Sequence, residues 1–131
     1  ITGNRDLVKT INTRKNPWTI NSLAAIAGEI MFRDEDYIQE TKRLISTERR
    51  RMYELFSARE DFQVYEPSGN FMLVKILRQD LSSKDLFDRT IREGMMIRDC
   101  STFPFLDDKF IRFCFMQPEM NDKLAACILS A

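Results

Sequence analysis

The residue most suggestive of chemistry is Arg112, which lies inside a strongly hydrophobic segment, Phe110–Phe115. A guanidinium cannot be buried without a partner, because removing its charge from water has a large free-energy cost. Arg112 must therefore reach solvent or face an anion. Strict alternation in a strand puts Phe110, Arg112 and Cys114 on one face, so Arg112 can also simply occupy a partly solvated face. The pattern leaves both interpretations open.

A second arginine, Arg98, stands at the end of a short predicted strand and at the start of a polar loop. Strand ends that open into loops are places where binding residues gather. Two arginines side by side on neighbouring strands would form a fork-shaped site for a carboxylate or a phosphate. The alternative is that Arg98 forms an ion pair with Asp99 or another acid.

The composition excludes several classes of function. The chain has no histidine, so catalytic triads and zinc sites that depend on imidazole are excluded. Its 20 basic and 20 acidic side chains cancel, which disfavours nucleic acid and an anionic membrane as partners. The 3 cysteines form no CxxC pair, which argues against a thiolate metal site or a disulfide framework and favours a cytoplasmic location. No apolar run reaches the ~20 residues of a membrane span.

Helical periodicity predicts three helices in the first part of the chain, over residues 5–14, 20–32 and 34–58. The second is apolar almost all round, which is typical of a helix buried within a domain or between subunits. In the third, the apolar residues recur at helical spacing and Arg49, Arg50 and Arg51 fall mostly opposite them. This basic run is predicted to be a solvated face and not a nucleic-acid patch.

The rest of the chain predicts a small sheet with helices. Strands are expected over residues 62–65, 71–76, 95–98 and 110–115. Ser82 and Asp85 form a capping signal for a helix that Gly94 ends, and a last helix follows Pro118. The buried face of that helix is predicted to carry Met120, Leu124, Cys127 and Ile128. The order predicts an α+β fold, a small, mainly antiparallel sheet with helices on one face, preceded by N-terminal helices including one long helix.

Four stretches together resemble a known family. They are Asn16-Pro17-Trp18-Thr19-Ile20-Asn21-Ser22-Leu23-Ala24, Pro67-Ser68-Gly69-Asn70-Phe71-Met72-Leu73-Val74, Gly94-Met95-Met96-Ile97-Arg98-Asp99-Cys100-Ser101-Thr102-Phe103-Pro104 and Phe110-Ile111-Arg112. The chain resembles fold-type I pyridoxal-phosphate enzymes of the class I and II aminotransferase family, in the histidinol-phosphate aminotransferase and threonine-phosphate decarboxylase group. Arg-Asp-Cys-Ser followed by Phe-Pro favours the decarboxylase side.

The resemblance implies substrate-binding roles for three residues. Arg112 would grip the substrate α-carboxylate, and Arg98 would add a second guanidinium for the carboxylate or a phosphate. Asn70 would lie on the substrate side of the cleft. No catalytic, cofactor-binding or metal-binding residue is assigned in this chain. Relatives often have glycine after the Phe-Pro pair, where this chain has Phe105.

The resemblance also implies that the residues that bind pyridoxal 5'-phosphate lie outside these 131 residues. In such enzymes the Schiff-base lysine lies just upstream of a segment like Ile1-Thr2-Gly3-Asn4, and Lys84, in an early turn of a surface helix, is not expected to replace it. We expect residues 1–131 to be the C-terminal small domain of a larger enzyme. Residues 1–33 would form linking and interface helices, and residues 34–131 an α+β sandwich.

The leading hypothesis is a substrate-recognition domain of a threonine-phosphate decarboxylase-like enzyme that is inactive alone. Its expected partners are an amino-acid substrate, the large cofactor-binding domain of the same chain, and a second subunit in a homodimer. A histidinol-phosphate or other class I and II aminotransferase is the alternative. A hypothesis of another class is a free-standing module that binds a small ligand, or dimerises through the apolar helix, without catalysis.

Overall fold

The first part of the structure contains two short helices that begin at capping asparagines. The computed structural model describes residues 3–16 and 20–131, and the chain divides into units of residues 1–38 and 39–131. Helix α1 (Arg5–Arg14) has the predicted bounds. Helix α2 (Ser22–Met31) begins later than predicted, because the Asn21 side chain accepts the Ala24 N–H at 2.8 Å and caps it. Three residues of the first resembling stretch, Pro17, Trp18 and Thr19, lie outside the described residues.

The composition of α2 predicted burial, but none of its residues is buried in the described chain. Leu23 is 79% exposed, and Phe32, which follows the helix, is 82% exposed. Two short helices supply too little apolar surface to enclose one of them. The first alternative, burial within a domain, is therefore wrong for the unit of residues 1–38 taken by itself, and the second, burial between subunits, stays a prediction.

Helix α3 (Glu35–Ser57) is the long helix, and it carries a buried carboxylate that the sequence did not predict. Glu48 is only 3% exposed and lies on the same face as the core residues Met52 and Phe56. Its carboxylate accepts hydrogen bonds from Arg51 at 3.0 and 2.7 Å and from the Asn121 side chain at 2.7 Å. Arg51 is thus held in a half-buried ion pair, so the prediction that the whole basic run is a solvated face is wrong at this residue.

The second unit contains, within the described residues, an antiparallel sheet in the order β1-β2-β4-β3. The strands are β1 (Phe62–Val64), β2 (Phe71–Ile76), β3 (Arg98–Asp99) and β4 (Phe110–Cys114). Three lie close to their predicted bounds, whereas β3 was predicted over residues 95–98. The Met95 N–H instead donates to Thr90 O at 2.9 Å at the end of the preceding helix, and pairing with β4 begins only at Arg98.

Helices α4 (Ser83–Arg92) and α5 (Pro118–Leu129) pack with α3 against one face of the sheet, as the predicted α+β fold requires. The capping box of α4 is present as predicted. The Ser82 N–H donates to Asp85 Oδ2 at 2.9 Å and the Asp85 N–H donates to Ser82 Oγ at 3.2 Å. In α5 the prediction that Met120 is buried is wrong, because this residue is 40% exposed. The next residue, Asn121, is fully buried in its place.

The core is centred on the ring of Phe56, which joins α3 to the sheet. This ring lies 5.8 Å from that of Phe62 on β1 and 5.3 Å from that of Phe113 on β4, measured between centroids. Strands β1, β2 and β4 direct alternate residues toward the core, and Met72 and Val74 of β2 are completely buried there. The intervening residues of β2 and β4 occupy the opposite face of the sheet.

The loop between β3 and β4 contains a strained turn. The Leu106 N–H donates to Phe103 O at 3.2 Å, which makes Pro104 and Phe105 the central residues of the turn. Phe105 has a φ of 69°, the region that a type II turn requires at this place and that favours glycine. The Phe105 side chain is fully exposed, so no packing offsets the strain.

The buried carboxylate of α3 predicts a pH-dependent contribution to stability. Glu48→Gln should lower the free energy of unfolding by roughly 1–3 kcal/mol near neutral pH, because it leaves buried partners imperfectly paired. The hydrogen bonds from Arg51 hold the pKa of Glu48 below its ordinary value although burial acts to raise it. A lowered folded-state pKa stabilises the protein above the unfolded-state pKa of about 4.3, and this contribution is lost as pH falls through the folded-state pKa.

Urea titrations of both proteins near pH 7 and again in the acid range measure the difference, which should shrink on acidification. The matched control is Glu54→Gln on the same helix, which removes an ion pair with Arg50 whose side chains are 84% and 67% exposed. That change should cost less than about 0.5 kcal/mol. Equal losses for the two variants would contradict the role of Glu48.

The strained turn predicts a stabilising substitution. Phe105→Gly should raise the free energy of unfolding by roughly 1 kcal/mol, because glycine adopts positive φ without a steric penalty and the exposed ring forms no packing to lose. Phe105→Ala removes the same ring and keeps the Cβ, so it should leave stability nearly unchanged. Thermal and urea unfolding of the three proteins compare the effects, and a glycine variant no more stable than the alanine variant would refute the strain.

Candidate functional site

The structure places Arg98 and Arg112 directly opposite each other on neighbouring strands. They are register partners in the antiparallel pair of β3 and β4, a position in which Cβ atoms stand about 5 Å apart. Phe113, next along β4, points into the core and is 3% exposed. Because side chains alternate, both arginines lie on the opposite face, which we call the open face. It also carries Phe71 and Leu73 of β2.

Aromatic rings are the contacts that the structure gives these two guanidiniums. The Cζ of Arg112 lies 4.9 Å from the ring centroid of Phe71 and 5.8 Å from that of Phe103. The Cζ of Arg98 lies 5.0 Å from the same Phe103 ring. These distances are within the range of cation–π attraction, about 6 Å. The Phe103 ring is therefore shared by the two cations.

No carboxylate within the described residues forms an ion pair with either arginine. The alternative interpretation, an ion pair between Arg98 and Asp99, is absent because Asp99 is engaged elsewhere. Asp99 Oδ1 accepts the Ser101 N–H at 2.9 Å and the Ser83 hydroxyl at 2.8 Å. The Ser101 hydrogen bond is the main reason that the pKa of Asp99 lies below its ordinary value. Among the residues that the structure describes, the hydrogen-bond donors of the two arginines thus have no acidic partner.

Cys100, the residue after Asp99, is not placed to act as a nucleophile. Its side chain is 1% exposed, and its thiol lies 3.7 Å from the carbonyl oxygen of Arg98. Burial raises the pKa of the Cys100 thiol, against the opposing effect of the Arg112 and Arg98 charges. Because the thiolate is the reactive form, Cys100 is a packing residue.

Asn70 is close in sequence to this site but is not joined to the arginines. It lies in a bend one residue before β2, its side chain is exposed, and its carbonyl oxygen accepts the Phe115 N–H at 2.9 Å. That bond continues the pairing of β2 and β4 beyond the last strand residue. Of the three predicted site residues, the structure brings Arg98 and Arg112 together and leaves Asn70 at the end of the sheet.

An open cleft of about 670 Å³ extends from the arginine pair along the edge of the sheet. Its lining includes both arginines, Thr102, Cys114 and, from α4, Lys84 and Asp88. Lys84 Nζ lies 2.6 Å from Asp88 Oδ2, so these two charges compensate each other. The cleft is large enough for a small-molecule ligand, and the two arginines place positive charge in its lining.

The lysines near this site are not arranged to hold pyridoxal phosphate. A Schiff-base lysine needs an amine that is free to form a covalent bond, whereas each of the four lysines of residues 75–123 already contacts a carboxylate, backbone carbonyls or an aromatic ring. Lys84 pairs with Asp88 as above, Lys109 donates to the carbonyls of Arg78, Gln79 and Leu81, Lys123 donates to that of Glu93, and Lys75 lies 5.5 Å from the Phe110 ring centroid. These four lysines therefore do not fit the cofactor.

Metal-binding clusters and membrane-spanning helices are both absent from the described residues. Within residues 3–16 and 20–131, no group of three or more acidic or cysteine side chains could hold a metal ion. In the same residues no helix is both long and apolar enough to cross a membrane.

Sequence reasoning missed the two aromatic residues at this site. Phe71 could have been found, because strand alternation places it on the same face as Arg112 once β2 and β4 are paired. Phe103 could not, because it lies in an irregular loop whose path no periodicity describes. Its position follows from the turns that anchor it, in which its N–H donates to Cys100 O at 2.9 Å.

Comparison with known proteins identifies relatives of this chain. The threonine-phosphate decarboxylase of Salmonella typhimurium is 30% identical over 112 residues, which are 86% of this chain and 30% of that protein. The crystal structure of the histidinol-phosphate aminotransferase from Clostridium acetobutylicum has a TM-score of 0.85 and 30% identity, covering 97% of this chain and 38% of that one. The chain therefore spans about a third of the length of the curated relatives it matches.

A more distant structure shows the same fold. It is the histidinol-phosphate aminotransferase of Sinorhizobium meliloti in complex with pyridoxal-5'-phosphate, with a TM-score of 0.76, 20% identity, and coverage of 95% of this chain and 35% of that one. The sequence profile of the family named Aminotransferase class I and II matches residues 1–128. Because that match extends over nearly the entire sequence, the chain belongs to the class I and II aminotransferase family.

Proposed function

We propose that this chain is the substrate-recognition part of a pyridoxal-phosphate-dependent enzyme that acts on an amino acid, and that Arg112 binds the substrate α-carboxylate. The observation that carries the proposal is the pair of adjacent guanidiniums, Arg98 and Arg112, without an acidic partner in the described residues. A bidentate ion pair fixes both the position and the orientation of a carboxylate. Fixing the substrate in this way is itself a large part of catalysis.

The second guanidinium favours a substrate with two anionic groups. L-Threonine O-3-phosphate carries a carboxylate and a phosphate, whereas L-histidinol phosphate carries a phosphate alone. We therefore propose a threonine-phosphate decarboxylase-like activity, with Arg112 on the carboxylate and Arg98 on the phosphate. The relative with 30% identity that bears this name supports the choice. Amino transfer from histidinol phosphate is the second candidate, supported by the similar structure with 30% identity.

The proposal also assigns roles to Asn70, to the two parts of the chain and to the domain that binds the cofactor. Asn70, at the end of the sheet, would contact the substrate from the side away from Arg98. Residues 34–131 would form the small α+β domain, and residues 1–33 would form helices that contact a large domain and a second subunit. The exposed apolar side chains of α2 suit such contacts, Leu23 and Ile30 being 79% and 66% exposed. Pyridoxal phosphate, which supplies an electron sink when bound, would be held by that large domain.

A direct test of the reaction uses the full-length protein loaded with pyridoxal phosphate. With L-threonine O-3-phosphate we expect release of carbon dioxide without consumption of an oxo-acid acceptor. With L-histidinol phosphate and an oxo acid we expect turnover to be slower. Faster amino transfer than decarboxylation would replace the first candidate by the second, and absence of both reactions would favour a non-catalytic module.

The carboxylate role predicts a large effect of one substitution. Arg112→Ala should lower kcat/KM of the full-length enzyme about 100-fold or more, because the substrate loses its orienting ion pair. The cofactor absorbance should not change, since Arg112 does not hold the cofactor. Arg50→Ala, at a side chain 84% exposed on α3, is the matched control and should have wild-type kinetics. An unchanged kcat/KM for Arg112→Ala would exclude the carboxylate role.

A further inference from the structure

We infer that Phe103 is a positioning residue whose ring sets the guanidiniums of Arg98 and Arg112 for two-point binding of an anionic substrate. The inference rests on the proposed function of the arginine pair and extends it to a residue that does not itself touch the substrate. Its basis is that both Cζ atoms lie over this one ring, at 5.0 and 5.8 Å from its centroid.

The guanidiniums of the register partners Arg98 and Arg112 need an attractive contact to stay close together. Because like charges repel, the two guanidiniums would separate toward solvent if nothing attracted them to the sheet. The contacts of both Cζ atoms with the Phe103 ring, and that of Arg112 Cζ with the Phe71 ring at 4.9 Å, attract the cations to the open face and oppose this separation.

An aromatic ring holds the arginines without occupying their hydrogen-bond donors. A carboxylate between them would attract both more strongly, but it would accept the same N–H groups that an anionic substrate requires. The ring attracts a cation through its face and leaves those donors available. The nearest acid along the chain, Asp99, is held by Ser83 and Ser101 instead.

Phe103 is itself well anchored. Its N–H donates to the carbonyl of the buried residue Cys100 at 2.9 Å, and its own carbonyl accepts the Leu106 N–H at 3.2 Å. The following Pro104 confines the backbone of Phe103 to extended conformations. The turn that this proline opens is the one in which Phe105 adopts a φ of 69°. These turns fix the backbone position from which the Phe103 ring reaches both arginines, as a positioning residue requires.

The test compares two variants of Phe103 in the full-length protein. Phe103→Leu keeps an apolar side chain and removes the π face, whereas Phe103→Tyr keeps the ring. The probes are inorganic phosphate and L-threonine O-3-phosphate, with dissociation constants measured by calorimetry, and circular dichroism verifies folding. Phe105→Leu, which alters a fully exposed ring of the same loop, is the matched control.

We expect Phe103→Leu to weaken binding of both probes about 5- to 30-fold, the equivalent of two lost cation–π contacts. Phe103→Tyr and Phe105→Leu should bind within about twofold of wild type. In turnover, KM of the leucine variant should rise by a similar factor while kcat changes less. The inference is overturned if Phe103→Leu binds like wild type, or if Phe103→Tyr loses as much affinity as Phe103→Leu.

The experiment separates this inference from the proposed function. If the wild-type protein binds phosphate but turns over no amino-acid substrate, the proposed function fails and the phosphate affinities of the two variants still decide the role of Phe103. If Arg112→Ala is inactive while Phe103→Leu has wild-type KM, the proposed function stands and the role of Phe103 is refuted. A wild-type protein that binds neither probe overturns both.

Discussion

The antiparallel pairing of β2 with β4 is the constraint on which the rest of this structure depends. Its register places Met72 opposite Phe113 on the core face and Leu73 opposite Arg112 on the open face. A slip of one residue would exchange the two faces. It would drive the Arg112 guanidinium toward Phe56 and expose Phe113, at a cost of several kcal/mol for the buried charge. The core thus determines where the arginine points, and the stability of the core and the position of Arg112 on the open face are two results of one pairing.

The charges of the second unit are distributed in two contrasting ways. Where a charge contributes to stability, it is closely paired, as Glu48 is with Arg51 and Asn121. At the site, the arginines are supported by rings, and the adjacent carboxylate of Asp99 is turned to two serines. A protein that only needed to tolerate Arg98 and Arg112 could neutralise them with acids. The absence of such pairing among the described residues is what makes this surface a candidate for an external anion.

Much of the fold could be predicted because it is determined by local signals. The Ser82 box and Gly94 mark where α4 begins and ends, and alternation placed Arg112 on the same face as Cys114, away from the core. Glu48 was missed because its burial depends on Asn121, which is 73 positions away. The start of β3 was missed because hydrophobic residues at 95 and 97 fill the core without pairing to a strand. The contacts of Phe103 were missed because loop geometry is set by turns and not by periodicity.

The bond between Glu48 and Asn121 also bears on how the chain folds during synthesis. Asn121 accepts the Met116 N–H, donates to the Met116 carbonyl and donates to Glu48, so one amide joins α5 to the long helix α3. Until α5 has left the ribosome, the Glu48 carboxylate lacks this partner and must remain hydrated. The core around Met52 and Phe56 therefore closes only after α5 has been synthesised, and the nascent chain carries an open apolar surface until then.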